Sequence, residues 1–191
     1  MGRHPPSCIQ DPEGRRRAPS TLVRVSVHSE HPFALPPEDR DAARQLRGRL
    51  VAPVTLWASG QGSSRVGLTV SSLLVALGQP ARLIALLDPD SDLALDRETR
   101  MAITVLEEPD RYLAEAFAGA APAPGGPFSR AQFEQTPWGP VLPNRSWVGV
   151  TWESEHTMGW SLEVVATIDT VHLTTSTPWA HVRGRYRSLA D

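Results

Sequence analysis

The sequence predicts a mainly β protein with short helices, folded as an antiparallel barrel or sandwich-like core. Three observations carry this. About seven segments have the β-branched content or period-two alternation of strands. Turns rich in glycine, proline and aspartate separate them at short intervals. Helical patterns are few and do not alternate with strands as βαβ units do. No internal repeat is visible.

Taken in order, residues 1–20 are rich in Pro, Arg, Gly and Ser and are expected to form a disordered tail ahead of one domain over 21–191. "TLVRVSVHSE" sets Leu22, Arg24 and Ser26 against Val23, Val25 and Val27, as in a half-exposed strand. In "PPEDRDAARQLRGRL" an acidic start and Arg44, Arg47 and Arg49 toward the end match the helix dipole, so a helix is expected near 38–50. "APVTLWAS" is a strand, "GQGSSR" a hairpin connection, and "VGLTVSSLLVAL" a second strand running back toward "GQP". "ARLIALLD" is a third strand, broken by "DPDSD"; "MAITVLE" is a fourth. "EPDRYLAEAFAG" spaces Tyr112, Leu113, Ala116 and Phe117 as the buried face of a short helix. "AAPAPGGP" is a loop, and "FSRAQFEQTPWG" forms at most one helical turn. "SWVGVTWES", "SLEVVATIDTVHL" and "AHVRGRYRSL" complete the set as three strands, joined through "EHTMGW" and "TTSTPW".

Composition excludes several classes. The 191 residues suit one domain, and a net charge of −2 draws the chain to neither nucleic acid nor an anionic membrane. Cys8 is the single cysteine, so no disulfide framework or cysteine-rich zinc site is expected. No run approaches the ~18 apolar residues of a membrane span. The first twenty residues lack the apolar core of a secretory signal, and a cytoplasmic location is the expectation. Arg15-Arg16-Arg17 reads as a solvated run in the tail.

The chemical motifs are sparse. There is no Gly-x-Ser-x-Gly elbow and no phosphate-binding Gly-x-x-x-x-Gly-Lys, and "GQGSSRVG" lacks the following helix that a dinucleotide fingerprint needs. His28 and His31 lie three apart on a strand pattern, which points them to opposite faces. Alternation puts Glu153 and Glu155 on one strand face beside His156, a pattern that reads as a solvated edge rather than a metal site. Asn144-Arg145-Ser146 matches a glycosylation acceptor, which carries no weight without a secretion signal.

One island stands out. Gly67, Thr69, Ser71 and Ser72 interrupt a stretch that otherwise reads as core. On a regular strand Thr69 and Ser71 share one face, and Leu68, Val70 and Ser72 the other. Two readings stand. The hydroxyls satisfy backbone groups where the strand bends or ends. Alternatively, hydroxyls and freed amides hold an anion or a flat polar ring, with Gly67 allowing close approach.

The order of motifs resembles the flavin reductase-like proteins, whose fold is an FMN-binding split barrel. "APVTLWAS", "GLTVSS", "LGQPARLIALLDPDS" and "MAITVLEEPDRYLAEAFAG" follow the family's "GVTVVT", "GMTASS", "DPP" with "CVDRSS", and "FAVNVL". "FSRAQFEQTPWGPVL" is similar to its Phe-containing segment before "P-x-L", and "HVRGRYRSL" to its closing "Y-x-G-x-Y-x-x-L". The similarity spans about residues 46–189.

The resemblance implies a six-stranded split barrel, usually a homodimer, with FMN near the subunit interface. It places Gly67, Thr69, Val70, Ser71 and Ser72 on the segment that wraps the flavin and its phosphate arm. Asp88 and Ser91 fall on a second flavin-contacting loop, and Thr104 replaces the asparagine of "FAVNVL". It also implies an oxidoreductase that uses NADH or NADPH to reduce a flavin or small acceptor, with a monooxygenase as a further partner. Two departures bear on activity. Ala81 replaces the second proline of "DPP". Met158-Gly159-Trp160 stands where many active reductases carry "GDH", so Trp160 replaces a histidine near the nicotinamide and is expected at the flavin or substrate. An FMN carrier or sensor without turnover is therefore the alternative. No metal is implied and no catalytic acid or base is assigned, Asp88 being the only ionisable residue in these segments.

Overall fold

In the computed structural model, residues 42–175 and 177–189 are described. The tail, the strand expected over 21–30, the pair His28 and His31, Cys8 and the start of the expected helix lie outside them. That helix is present as α1 (Ala42–Arg49), with Arg47 and Arg49 in its last turn.

The strands are β1 (Ala52–Pro53), β2 (Thr55–Ser59), β3 (Val66–Val70), β4 (Leu73–Ala76), β5 (Arg82–Leu87) and β6 (Arg100–Val105). They continue as β7 (Glu134–Thr136), β8 (Gly139–Val141), β9 (Trp147–Met158), β10 (Ser161–His172), β11 (Trp179–Val182) and β12 (Arg185–Ser188). Two short helices, α2 (Asp92–Asp96) and α3 (Arg111–Phe117), lie on either side of β6 in sequence. Seven strands, one more than the resemblance implies, form one antiparallel sheet in the order β3-β2-β6-β9-β10-β5-β4. A second sheet has the order β1-β11-β12, and β7 and β8 form a small ribbon.

The stretch expected as one strand over "VGLTVSSLLVAL" is instead β3 and β4, at opposite edges of the seven-stranded sheet. Laid flat, those edges would be about 29 Å apart at the usual strand spacing. Ser71-Ser72 lets Val70 and Leu73 separate by at most about 11 Å. The sheet must therefore curl until its edges meet, which makes it a split barrel.

Inside the barrel, Trp57, Val70, Leu83, Leu87, Met101, Ile103, Val150 and Val164 pack into one cluster, joined by Leu93 of α2. The polar atoms buried with them are satisfied. The Trp57 indole donates to the Thr55 hydroxyl at 3.2 Å, and that hydroxyl donates to the Val70 carbonyl at 2.6 Å. A second cluster lies outside the barrel wall, where Leu113, Ala114 and Phe117 of α3 meet Val54, Leu56, Leu106 and Trp179. Phe117, Phe128 and Phe133 meet edge to face in it. Tyr112, expected on the buried face of α3, is exposed, and Ala114 occupies that face because the helix packs through positions 113, 114, 116 and 117.

Other expectations need correction. "AHVRGRYRSL" is a hairpin of two strands, turned at Arg183-Gly184, where both residues have positive φ (52° and 71°) as a tight primed turn requires. β9 runs on through "EHTM", so its turn is only Gly159-Trp160. "FEQTPWG", expected to be nearly structureless, pairs β7 with β8. A β-bulge sets Ser154 opposite Val165 but Trp152 opposite Ala166, leaving Glu153 as the extra residue. It breaks the alternation that would put both glutamates on one face. Glu153 takes Arg82 at 2.7 Å and the Thr167 hydroxyl at 3.0 Å, while Glu155 lies opposite core Val164 and pairs with Arg97. The hydrogen bond from Arg82 comes first in holding the Glu153 carboxyl below its usual range. No group of three metal-ligating side chains exists among the described residues. None of their helices is long and apolar enough to cross a membrane.

In the small sheet Tyr186 stacks on Trp179 at 4.2 Å, and His181 lies beside Tyr186. Burial first, and then the Arg47 charge, push the His181 pKa below its ordinary 6.5. Its native state thus disfavours protonation, and the unfolded chain binds more protons as pH falls through 6.5. We predict that stability in urea declines on acidification below about 6.5, and that this component of the slope disappears in His181→Gln, as denaturant titrations from pH 7.5 to 5.5 would reveal.

Candidate functional site

The polar island is the seam of the barrel. Val70 and Leu73 both pack on the inner cluster although they are three residues apart. Regular alternation would send them to opposite faces, so Ser71 and Ser72 form a kink, and Ser72 does not follow Leu68 and Val70 as expected. The Ser72 hydroxyl donates to the Leu86 carbonyl and accepts from the Leu86 amide at 3.3 Å, while the Leu86 amide also donates to the Ser72 carbonyl at 3.2 Å. The Thr69 hydroxyl donates to the Ala114 carbonyl of α3 at 2.8 Å. These two hydroxyls do what the plainer reading expects: they tie backbone groups where the sheet edges meet. Ser71 is different. It is half-buried, and its hydroxyl finds no hydrogen-bond partner among the described residues.

Gly67 has a packing reason of its own. A Cβ there would fall 2.8 Å from Phe117 Cε1, so the missing side chain lets α3 lie against β3. Val70 is buried in the barrel, leaving only its backbone for any outer ligand.

The register assembles the rest of the site. Leu86 bonds to Ser72, so Leu87 and Asp88 come level with Ser71. Leu87 pairs with Leu162, which brings Asp88 to the end of β10 and the Gly159-Trp160 turn. The Asp88 carboxylate accepts from the Asp90 amide at 3.0 Å. Ser91 donates to the Asp88 carbonyl at 2.7 Å and accepts from the Ala94 amide at 3.3 Å as the N-cap of α2. Both side chains shape the loop. Trp160 is 74% exposed at the hairpin tip, unlike the packed tryptophans of the core, and Gly159 supplies the positive φ (60°) of that turn.

Thr104 lies in a cross-strand row with Thr69, Leu56 and Trp147, away from the island. It is 1% exposed and its hydroxyl is unpaired. Leu56 separates it from Thr69, so the two hydroxyls stand about 10 Å apart, two strand spacings. The structure therefore brings Ser71, Ser72, Asp88, Ser91 and Trp160 to one end of the barrel, and leaves Thr104 within the wall.

A family model described as the flavin reductase like domain matches residues 47–190. The chain belongs to this family. Solved structures support the same fold. Flavin reductase PheA2 shares 18% identity over 78% of this chain and 97% of its own, with a TM-score of 0.68. The NADH:FAD oxidoreductase SgcE6 of Streptomyces globisporus shares 20% over 82% of this chain and 96% of its own, with a TM-score of 0.70. BorF, the flavin reductase component of a bacterial two-component tryptophan halogenase, shares 18% over 78% of this chain and 99% of its own, with a TM-score of 0.65. No curated protein matches the chain.

At these identities the structures speak for the fold, and the flavin reductase-like barrel is the one derived above from its seam. The sequence singled out the hydroxyls on that seam. It missed Phe117 as the reason for Gly67, because the two are fifty positions apart and meet only through α3.

Two substitutions separate packing from binding. Gly67→Ala should cost about 1–3 kcal/mol by overpacking against Phe117, and the double variant with Phe117→Leu should recover part of it in urea unfolding. Thr104→Val removes a buried hydroxyl without a partner and should leave stability equal or higher by about 1–3 kcal/mol. A fall in its unfolding midpoint would reveal a bond that the hydroxyl makes in solution.

Proposed function

We propose that this chain is an FMN-binding oxidoreductase that uses NADH or NADPH to reduce a flavin or small acceptor. The observation that carries the reading is the uncommitted Ser71 hydroxyl on the barrel seam, level with the Asp88 loop and the Trp160 turn, in a chain of the flavin reductase-like family. When bound, a flavin would supply the redox chemistry that links the nicotinamide to the acceptor. The protein binds and orients. Ser71 donates to the flavin, and the backbone of residues 67–72 offers a close wall that bulky side chains would block. Ser72, Asp88 and Ser91 hold the loops that flank it. Thr104 sets the wall behind, and Trp160 offers an aromatic face to the flavin or the substrate.

The assembly we favour is a cytoplasmic homodimer, with a monooxygenase as acceptor partner. Edge strand β4 and the residue after it leave Leu74, Val75 and Leu77 exposed, near exposed Leu86 of β5, apolar surface that a second copy would cover. Similar structures include SgcE6 in complex with NAD and FAD fragments and a nitrilotriacetate monooxygenase component B homologue from Mycobacterium thermoresistibile, which support a nicotinamide and flavin pair and a monooxygenase partner in kind.

One observation favours a second reading, an FMN carrier or sensor without turnover: an exposed tryptophan occupies the turn where the family resemblance expects a histidine. Purified protein mixed with FMN should retain a flavin spectrum after desalting, and a colourless protein overturns both readings. Prompt bleaching of the bound flavin by NADH or NADPH without oxygen supports the reductase, and its absence supports the carrier. Ser71→Leu should weaken flavin affinity at least about tenfold, through a lost donor and a blocked approach. Unchanged affinity in a folded variant would return the island to a purely structural role.

A further inference from the structure

The flavin site proposed above lacks a charge partner for a phosphate. Its loop carries Asp88, Asp90, Asp92 and Asp96, and the neighbouring cations Arg97 and Arg82 are committed to Glu155 and Glu153. Cations without such partners collect elsewhere. β12 and the turn before it carry Arg183, Arg185 and Arg187, all exposed and none in an ion pair among the described residues. Together with Val182 they line a cleft of about 330 Å³. No acidic residue occurs in α1, β1, β11 or β12.

The backbone there is specific. Arg183 takes a left-handed φ of 52°, a conformation that costs a long side chain and is usually left to glycine or asparagine. The Arg183 amide donates to the Gly48 carbonyl at 2.6 Å, fixing the turn against the end of α1. Arg185 and Arg187 are two apart on β12 and share a face. The three arginines line one cleft, and an anion seated in it is attracted by each of them.

We propose that the cleft formed by Arg183, Arg185 and Arg187 is a phosphate site that receives a phosphomonoester dianion. Guanidinium forks match phosphate oxygens in pairs, and a phosphomonoester brings two negative charges to the cluster. The inference rests on the functional reading above for the source of that phosphate, either the 2′-phosphate of NADPH or the 5′-phosphate of FMN. Strand register ties the cluster to β1. Thr55 lies opposite Val70, Pro53 opposite Ala180, and Ala180 opposite Arg187. Arg187 thus stands about 10 Å, two strand spacings, from Pro53 of β1.

The test uses the full chain, an Arg185→Gln/Arg187→Gln double variant, and a control that removes two exposed arginines elsewhere, Arg100→Gln/Arg130→Gln. Titration calorimetry with inorganic phosphate, NADPH, NADH, FMN and riboflavin should show phosphate affinity falling about tenfold or more in the double variant alone. If the NADPH preference over NADH collapses with it, the phosphate is that of the nicotinamide cofactor. Collapse of the FMN preference over riboflavin assigns it to the flavin, and loss of phosphate binding with both preferences intact keeps the site for another phosphomonoester. Phosphate affinity within twofold of the control, or a wild-type chain that does not bind phosphate, overturns the proposal. Riboflavin binding reports separately on the Ser71 site, so failure there does not imitate failure here.

Discussion

Two residues, Ser71 and Ser72, join the opposite edges of a seven-stranded sheet, and most of the architecture follows from the shortness of that link. A flat sheet cannot be spanned by so short a connection, so the sheet must curl and bring β3 and β4 together. Curling encloses the inner face, which is why Trp57, Met101, Val150 and Val164 are all but inaccessible without a second layer of secondary structure over them. It also explains the hydroxyls. Where the ladder stops at the seam its backbone groups need other partners, and Ser72 and Thr69 supply them.

The outer wall is stabilised separately. α3 lies against β3 because Gly67 has no side chain, and the Phe117, Phe128 and Phe133 cluster fills the space above it. The Arg145 guanidinium reaches Asp110 at 2.8 Å and Glu107 at 3.4 Å, tying the entry of α3 to the start of β9. Hydrogen bonding to Asp110 comes first in keeping that guanidinium charged. These contacts orient the wall behind the seam. The Asp88 loop and the Trp160 turn, by contrast, are placed by strand register, with the loop held further by its Asp88 and Ser91 hydrogen bonds and by buried Leu93.

Charge is divided across the molecule in a way that composition hides. The near-neutral total of −2 conceals an aspartate-rich loop after β5 and an arginine-rich hairpin at β11 and β12. The acidic loop lies beside the proposed flavin wall, and the arginines that lack an ion pair among the described residues lie on the small sheet, which is tied to α1 through Gly48 and to β1 through β11. Net charge averages over exactly the distances at which such groups act; inside a cleft the local set of guanidiniums decides.

By itself the sequence determined what depends on neighbours along the chain. Alternation marked the strands, glycine and proline marked the turns, and the break at Ser71-Ser72 was visible as a polar interruption in an apolar run. The order of those segments was enough to indicate a flavin reductase-like barrel. Tertiary structure decided what depends on register between distant segments. It separated β3 from β4, assigned Thr69 and Ser72 to backbone bonds while leaving the Ser71 hydroxyl without a partner among the described residues, and buried Thr104 behind Leu56. It turned Glu155 away from Glu153 through a one-residue bulge. The physical reason is the same in each case. A side chain's face follows from the local period, but its partner follows from which strand lies alongside, and one extra residue or one closed seam changes that partner without altering the local pattern.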